Sequence, residues 1–241
     1  REEKRNGWKL TLHMPCYLPV QTHADNRGLR ETLYRAYGVR ASEEGPEELD
    51  NSGLIERILA LRAEHAALLG FDSYAEVSLA TKMAKTPDEV LGFLRELAAR
   101  ALPHARKDRA ELEAFARDEL GLDELQPWDL AWASEKLRQA RYSYSALEVK
   151  QYFTEPRVLK GLFGLIHDLY GITVEQEEAP VWHEDVRFYS LKDGSGRLVG
   201  QFYLDPYARP GKRGGAWMDD CRNRRELATG EQTPVVYLVC N

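Results

Sequence analysis

"DVRFYSLKDGSGRLVGQFYLD", Asp185 to Asp205, consists of two alternating runs around a four-residue break. In an extended chain successive side chains point to opposite faces, so alternation with period two marks strands. Asp193, Gly194, Ser195 and Gly196 between the runs are turn residues, and the stretch reads as a β-hairpin. It decides the fold class because nothing between Asn51 and Gly171 has this period. Downstream, "ARPGKRGG" is a glycine-rich basic turn, and "TPVVYLVCN" is an apolar, β-branched run that predicts a buried strand. Just upstream, "ITVEQ" is also β-like.

From Asn51 to about Gly171 the apolar period is helical. "NSGLIERILALRAEHAALLG" places Leu54, Ile55, Ile58, Leu59 and Leu61 on or beside one face, with Gly70 as a C-terminal cap. "TPDEVLGFLREL" carries Thr86 as N-cap, Pro87 at the first helical position and Glu89 three residues after the threonine. That helix can run to Gly121, with Pro103 expected to bend it because proline removes a hydrogen-bond donor. Further helices are predicted over Trp128–Tyr142, around Ala146–Tyr152 and over Pro156–Tyr170. Before them, "ADNRGLRETLYRAYG" predicts a helix from Asn26 to Gly38, and "WKLTLHMPCYLPV" a short strand running into a loop interrupted by Pro15 and Pro19. The fold class expected is therefore α+β, mainly α with a small terminal β part: a helical, bundle-like layer over residues 1–175, then an antiparallel hairpin and sheet over 176–241.

The 241 residues, 43% hydrophobic, are enough for one large or two small domains with a real core. Charge sums to −6 and is spread along the chain, which argues against a nucleic-acid surface. Apolar runs fall far short of the roughly 18 residues of a membrane span. No membrane association and no nucleic-acid partner are expected. Cys16, Cys221 and Cys240 form no CxxC pair and suit reduced thiols in the cytoplasm.

Several stretches invite a catalytic reading. "VWHEDVRFY" opens like HExxH, in which two histidines four apart bind zinc and the glutamate serves as general base. Arg187 occupies the second histidine's position and Pro180 sits upstream, so His183 and Glu184 read as the polar entry to the hairpin. His13 and His23 flank a proline-containing loop near Asp25, while His65 and His167 lie on amphipathic helices; neither these nor His104 forms a pair of ligand quality. "RPGKRGG" lacks the Walker pattern, with Pro206 and Arg213 where glycine and Ser or Thr are required. The aromatic residues Trp128, Trp132, Tyr142 and Tyr144 recur at helical spacing, as packing residues do.

Three separated stretches resemble one family in the same order. Leu68–Val90, "LLGFDSYAEVSLATKMAKTPDEV", Pro127–Phe153, "PWDLAWASEKLRQARYSYSALEVKQYF", and Gly200–Cys221, "GQFYLDPYARPGKRGGAWMDDC", are similar to the thimet-oligopeptidase family of zinc metallopeptidases. Pro206 stands where that family carries an apolar residue. The resemblance implies a zincin-type, zinc-dependent metalloendopeptidase that hydrolyses short peptides in a cytoplasmic setting. In that family the strand matching "PVVYLVCN" precedes the HExxH helix, and the third zinc ligand and the Tyr and His that stabilise the intermediate come later. None of these is in the sequence. The chain is accordingly expected to be a middle segment, inactive alone, binding no zinc itself and partnered by the missing C-terminal part of the same protein. Its expected contributions are a channel wall and a substrate-binding edge strand. The family position of that strand matches Gly214, Gly215, Ala216 and Trp217, although the glycines also suit a plain turn. A non-enzymatic helical module that binds a peptide or protein remains the alternative.

Overall fold

The computed structural model describes residues 7–143 and 145–241, so Tyr144 and the charged N-terminal residues 1–6 lie outside the described residues. The chain divides into two compact units with main spans Cys16–Tyr142 and Ser143–Asn241. About half of the chain is helical and a small mixed sheet closes it, an α+β architecture.

The first unit is helical. Helices α1 (Met14–His23), α2 (Arg27–Gly38), α3 (Ser52–Leu68), α4 (Tyr74–Leu79), α5 (Pro87–Leu120) and α6 (Leu130–Tyr142) follow in order, with 3₁₀ turns at Glu47–Leu49 and Pro127–Asp129. The expected strand before residue 14 is absent; Pro15 and Pro19 lie inside α1. Pro15 is tolerated there because the first helical turn has N–H groups with no partner to lose. The start of α5 is as expected: Thr86 Oγ1 accepts from the Glu89 N–H at 3.1 Å, and Glu89 Oε2 accepts from the Lys85 N–H at 2.8 Å. Gly121 ends that helix with φ +67°, a left-handed conformation that a Cβ disfavours.

The core of this unit is Leu112, Ala116, Leu125 and Ala133, with Leu120, Leu122, Leu130, Trp132 and Leu137 around it. Beside it Asp129, fully buried, binds two arginines. Arg27 reaches both carboxylate oxygens, and Arg30, 1% exposed, donates to Oδ1 at 2.8 Å. Arg30 also donates to the Trp128 and Ala24 carbonyls and lies over the Trp132 ring. In α3 the predicted helix forms, but its apolar face does not supply a core: Leu54, Ile55, Ile58, Leu59 and Leu61 are all exposed.

The second unit begins with α7 (Ala146–Lys150) and α8 (Glu155–Tyr170) and continues into strands β1 (Thr173–Glu177), β2 (Arg187–Lys192), β3 (Leu198–Asp205), β4 (Trp217–Arg222), β5 (Arg225–Leu227), β6 (Gly230–Gln232) and β7 (Val235–Val239). The predicted hairpin is β2–β3, antiparallel, with Phe188 opposite Tyr203 and Tyr189 opposite Phe202. Its turn is held by Asp193, whose Oδ1 accepts from the Ser195 and Arg197 N–H groups and the Ser195 hydroxyl, while Gly196 takes φ +83°. β5 and β6 form a separate two-stranded hairpin.

The sheet order is β1-β2-β3-β7-β4. The expected sheet was antiparallel; here β7 runs parallel to β3 and antiparallel to β4. The last strand therefore enters between two strands that precede it. α8 covers the sheet through Phe163, whose ring meets Tyr189 edge-on at 5.2 Å.

Candidate substrate-binding edge

The C-terminal ends of the parallel strands β3 and β7 lie side by side, and the Cys240 N–H donates to the Asp205 carbonyl at 2.8 Å. Asp205, 2% exposed, closes β3. Its carboxylate takes a bidentate pair from Arg209 at 2.7 Å to each oxygen, Lys212 Nζ at 2.9 Å and the Trp182 indole N–H at 3.1 Å. The Arg209 guanidinium, with Lys212 and Trp182, holds this carboxyl far below the usual carboxylate range despite its burial.

Lys212 is itself 5% exposed at its side chain. Its ammonium also donates to the carbonyls of Asp205, Tyr207 and Cys240, at 2.9, 2.7 and 2.6 Å. It thus collects carbonyls from the end of β3, the following loop and the end of β7. Beyond it, Asn241 Nδ2 donates to the Arg213 and Gly215 carbonyls at 3.3 and 3.1 Å. Gly214 has Asn241 Nδ2 3.7 Å from where a Cβ would stand, and Gly215 takes φ +98°. Gly214, Gly215 and Ala216 lead straight into β4, whose first residue is Trp217. Among the described residues β4 pairs with β7 alone, and it is exposed along nearly its whole length. It is the edge of the sheet on that side, where unpaired backbone groups can receive another strand.

A second polar group lies under the same loop. Tyr207 donates its hydroxyl to Glu155 Oε2 at 2.6 Å, and Arg187 pairs with Glu155 Oε1. The Tyr207 hydroxyl and the Arg187 guanidinium hold the Glu155 carboxyl below its ordinary value.

His183 lies in a turn closed by the Val186 N–H on the His183 carbonyl, and its Nδ1 accepts from the Asp185 N–H at 3.2 Å. This is the polar hairpin entry that the sequence predicts, and it brings no second histidine. Among the described residues no group of three His, Cys, Asp or Glu side chains could hold a metal ion.

The profile of Peptidase family M3 matches residues 20–241. The chain belongs to Peptidase family M3. It is 54% identical to oligopeptidase A of Escherichia coli over 98% of its length, covering 35% of that protein. It is 44% identical to the probable cytosolic oligopeptidase A of Arabidopsis thaliana, covering 97% of this chain and 34% of that protein. It is 36% identical to the dipeptidyl carboxypeptidase of Escherichia coli, covering 98% and 34%. The resemblance to the oligopeptidases seen in three stretches thus extends over nearly the whole chain. The chain spans about a third of the length of these M3 relatives.

Sequence reasoning missed the tie around Asp205. "ARPGKRGG" reads as a basic turn between strands, and it does connect β3 to β4, but Arg209 and Lys212 are turned inward. The available signal was an aspartate ending an apolar strand, followed four and seven residues on by two cations.

Proposed function

We propose that this M3 peptidase chain is part of a zinc-dependent, zincin-type metalloendopeptidase of the cytoplasm that hydrolyses short peptides. The helices supply a channel wall, and the segment Gly214, Gly215, Ala216 and Trp217 with β4 supplies the edge on which an extended peptide lies. A peptide added as a further strand forms main-chain hydrogen bonds that give affinity without demanding a particular sequence. Holding the backbone extended also presents one peptide bond at a fixed height, which is how orientation lowers a barrier. The metal and the groups that act on the carbonyl belong to residues outside these 241.

The observation that carries the edge assignment is β4 itself, an exposed strand entered through Gly214 and Gly215, which carry no side chain of their own to hold off a peptide backbone. The family and its named peptidases favour this over a non-enzymatic interaction module.

Two measurements test it. In the full-length protein that carries this segment, a chelator abolishes hydrolysis of short fluorogenic peptides and zinc restores it, whereas the 241-residue chain alone hydrolyses none. Chelator-sensitive turnover by the chain alone would overturn the division of labour. Substrates N-methylated on single backbone amides beside the scissile bond lose one edge hydrogen bond of about 1 kcal/mol, so kcat/KM falls about fivefold at the paired positions. Equal turnover of every methylated peptide removes the edge.

A further inference from the structure

We propose that Lys212 and Asn241 are positioning residues that set the placement of the β4 edge, an inference that rests on the substrate-edge reading above. β4 is poorly anchored by its own burial, because five of its six residues are exposed. Its far end is irregular, with a register shift between Asp220 and Arg222 against β7. A strand held by one ladder, with a bulge at one end, takes its placement from the other end.

That other end is fixed by two donors. The Lys212 ammonium draws the carbonyls of Asp205, Tyr207 and Cys240 onto one point, and the Asn241 amide holds those of Arg213 and Gly215. Together they tie the entry of β4 to the end of β7. An apolar side chain of similar length could fill the space of Lys212 but would take the ammonium donor from the Tyr207 and Cys240 carbonyls and leave Asp205 to Arg209, Trp182 and the Cys240 N–H. Replacing a buried ion pair by well-packed apolar residues is often neutral or stabilising, so net stability alone does not account for the Lys212–Asp205 pair. The arrangement therefore reads as a clamp on position. Its chemical consequence is that loosening it raises KM for peptides while leaving kcat nearly unchanged, since the same reacting groups act on whatever peptide is bound.

The test uses the full-length protein with Lys212→Met and Asn241→Asp, the second replacing a donor by an acceptor of equal size on an exposed side chain. Hydrogen exchange is followed at the amides of residues 215–222, and KM and kcat with short peptides. The expected result is faster exchange confined to this segment in both variants, with KM raised roughly tenfold for Lys212→Met and a few-fold for Asn241→Asp, and kcat within about twofold. Unchanged exchange in Asn241→Asp, which leaves the buried charges in place, overturns the proposal even if Lys212→Met fails to fold. Faster exchange with unchanged KM leaves the clamp standing and removes the substrate edge, so the two readings fail separately.

Discussion

Replacing Asp129 with Ala strands the Arg30 guanidinium where water scarcely reaches it. Arg30 is 1% exposed and Asp129 fully buried, and the carboxylate is shared with Arg27, which is 45% exposed at its side chain. Burial alone would raise the Asp129 carboxyl; the two arginines outweigh it and hold it below its ordinary value. Removing one partner of such a buried pair costs about 3–5 kcal/mol, because the remaining charge keeps its desolvation penalty without its counter-ion. Against a total of about 5–15 kcal/mol for a domain, this is a large share. For a helical unit of this size it lowers the midpoint of thermal unfolding by on the order of 10–20 °C. Arg27→Met removes a half-exposed partner and costs about 1 kcal/mol. The double variant Asp129→Ala with Arg30→Met removes both buried charges, and it recovers about 1–2 kcal/mol relative to Asp129→Ala alone. Thermal and urea unfolding followed by circular dichroism measures all four proteins. If Asp129→Ala lies within 1 kcal/mol of the parent, or the double variant is no more stable than the single, the buried-charge reasoning is wrong.

Other consequences are equally direct. Thr86→Ala deletes the side-chain cap on the Glu89 N–H and lowers stability by about 1 kcal/mol in urea unfolding, with Thr86→Ser near the parent. Gly121→Ala places a Cβ at φ +67° with no neighbouring atom within 4 Å, so its cost of about 1 kcal/mol is purely conformational; a stability gain in the same assay contradicts the left-handed cap. The lowered Asp205 carboxyl contributes stability that is fully present above its unfolded value near pH 4 and is lost only as pH falls through the lowered folded value. Hydrogen exchange of the β4 amides, corrected for intrinsic rates, is accordingly the same at pH 7 and pH 5. Loosening across that interval counts against the tie.

What was legible in the sequence was what local physics decides. The Thr86–Glu89 start, the Gly121 stop and the Asp193–Gly196 turn are all satisfied within a few residues, so their signals survive without knowledge of the rest of the chain. The sequence favours a strand over α1 because "WKLTLHMPCYLPV" alternates and carries two prolines, whereas Pro15 falls in a first helical turn that accepts it and Pro19 is carried inside the helix. The parallel pairing of β7 with β3 was not visible, since an apolar run says that a strand is buried and says nothing about its neighbours. The inward turn of Arg209 and Lys212 was hidden for a similar reason: a cation in a loop points to water unless a distant carboxylate and strand-end carbonyls wait for it. The apolar face of α3 was read correctly as apolar, yet it remains exposed, because periodicity records what a helix can bury and not what is present to bury it.

The strand order also sets a sequence of events in time. β1, β2 and β3 can pair as they are made, but β4 has no place in the sheet until Val235–Val239 has been synthesised and has entered beside β3. At a synthesis rate of about 5–20 residues per second, β4 waits on the order of seconds as an unpaired strand, open to the wrong neighbour. The same insertion brings Cys240 and Asn241 to Lys212 and Gly215, so one late step creates the edge and locks it. An interrupted nascent chain would already have its β2–β3 hairpin and still lack the open β4 edge of the sheet.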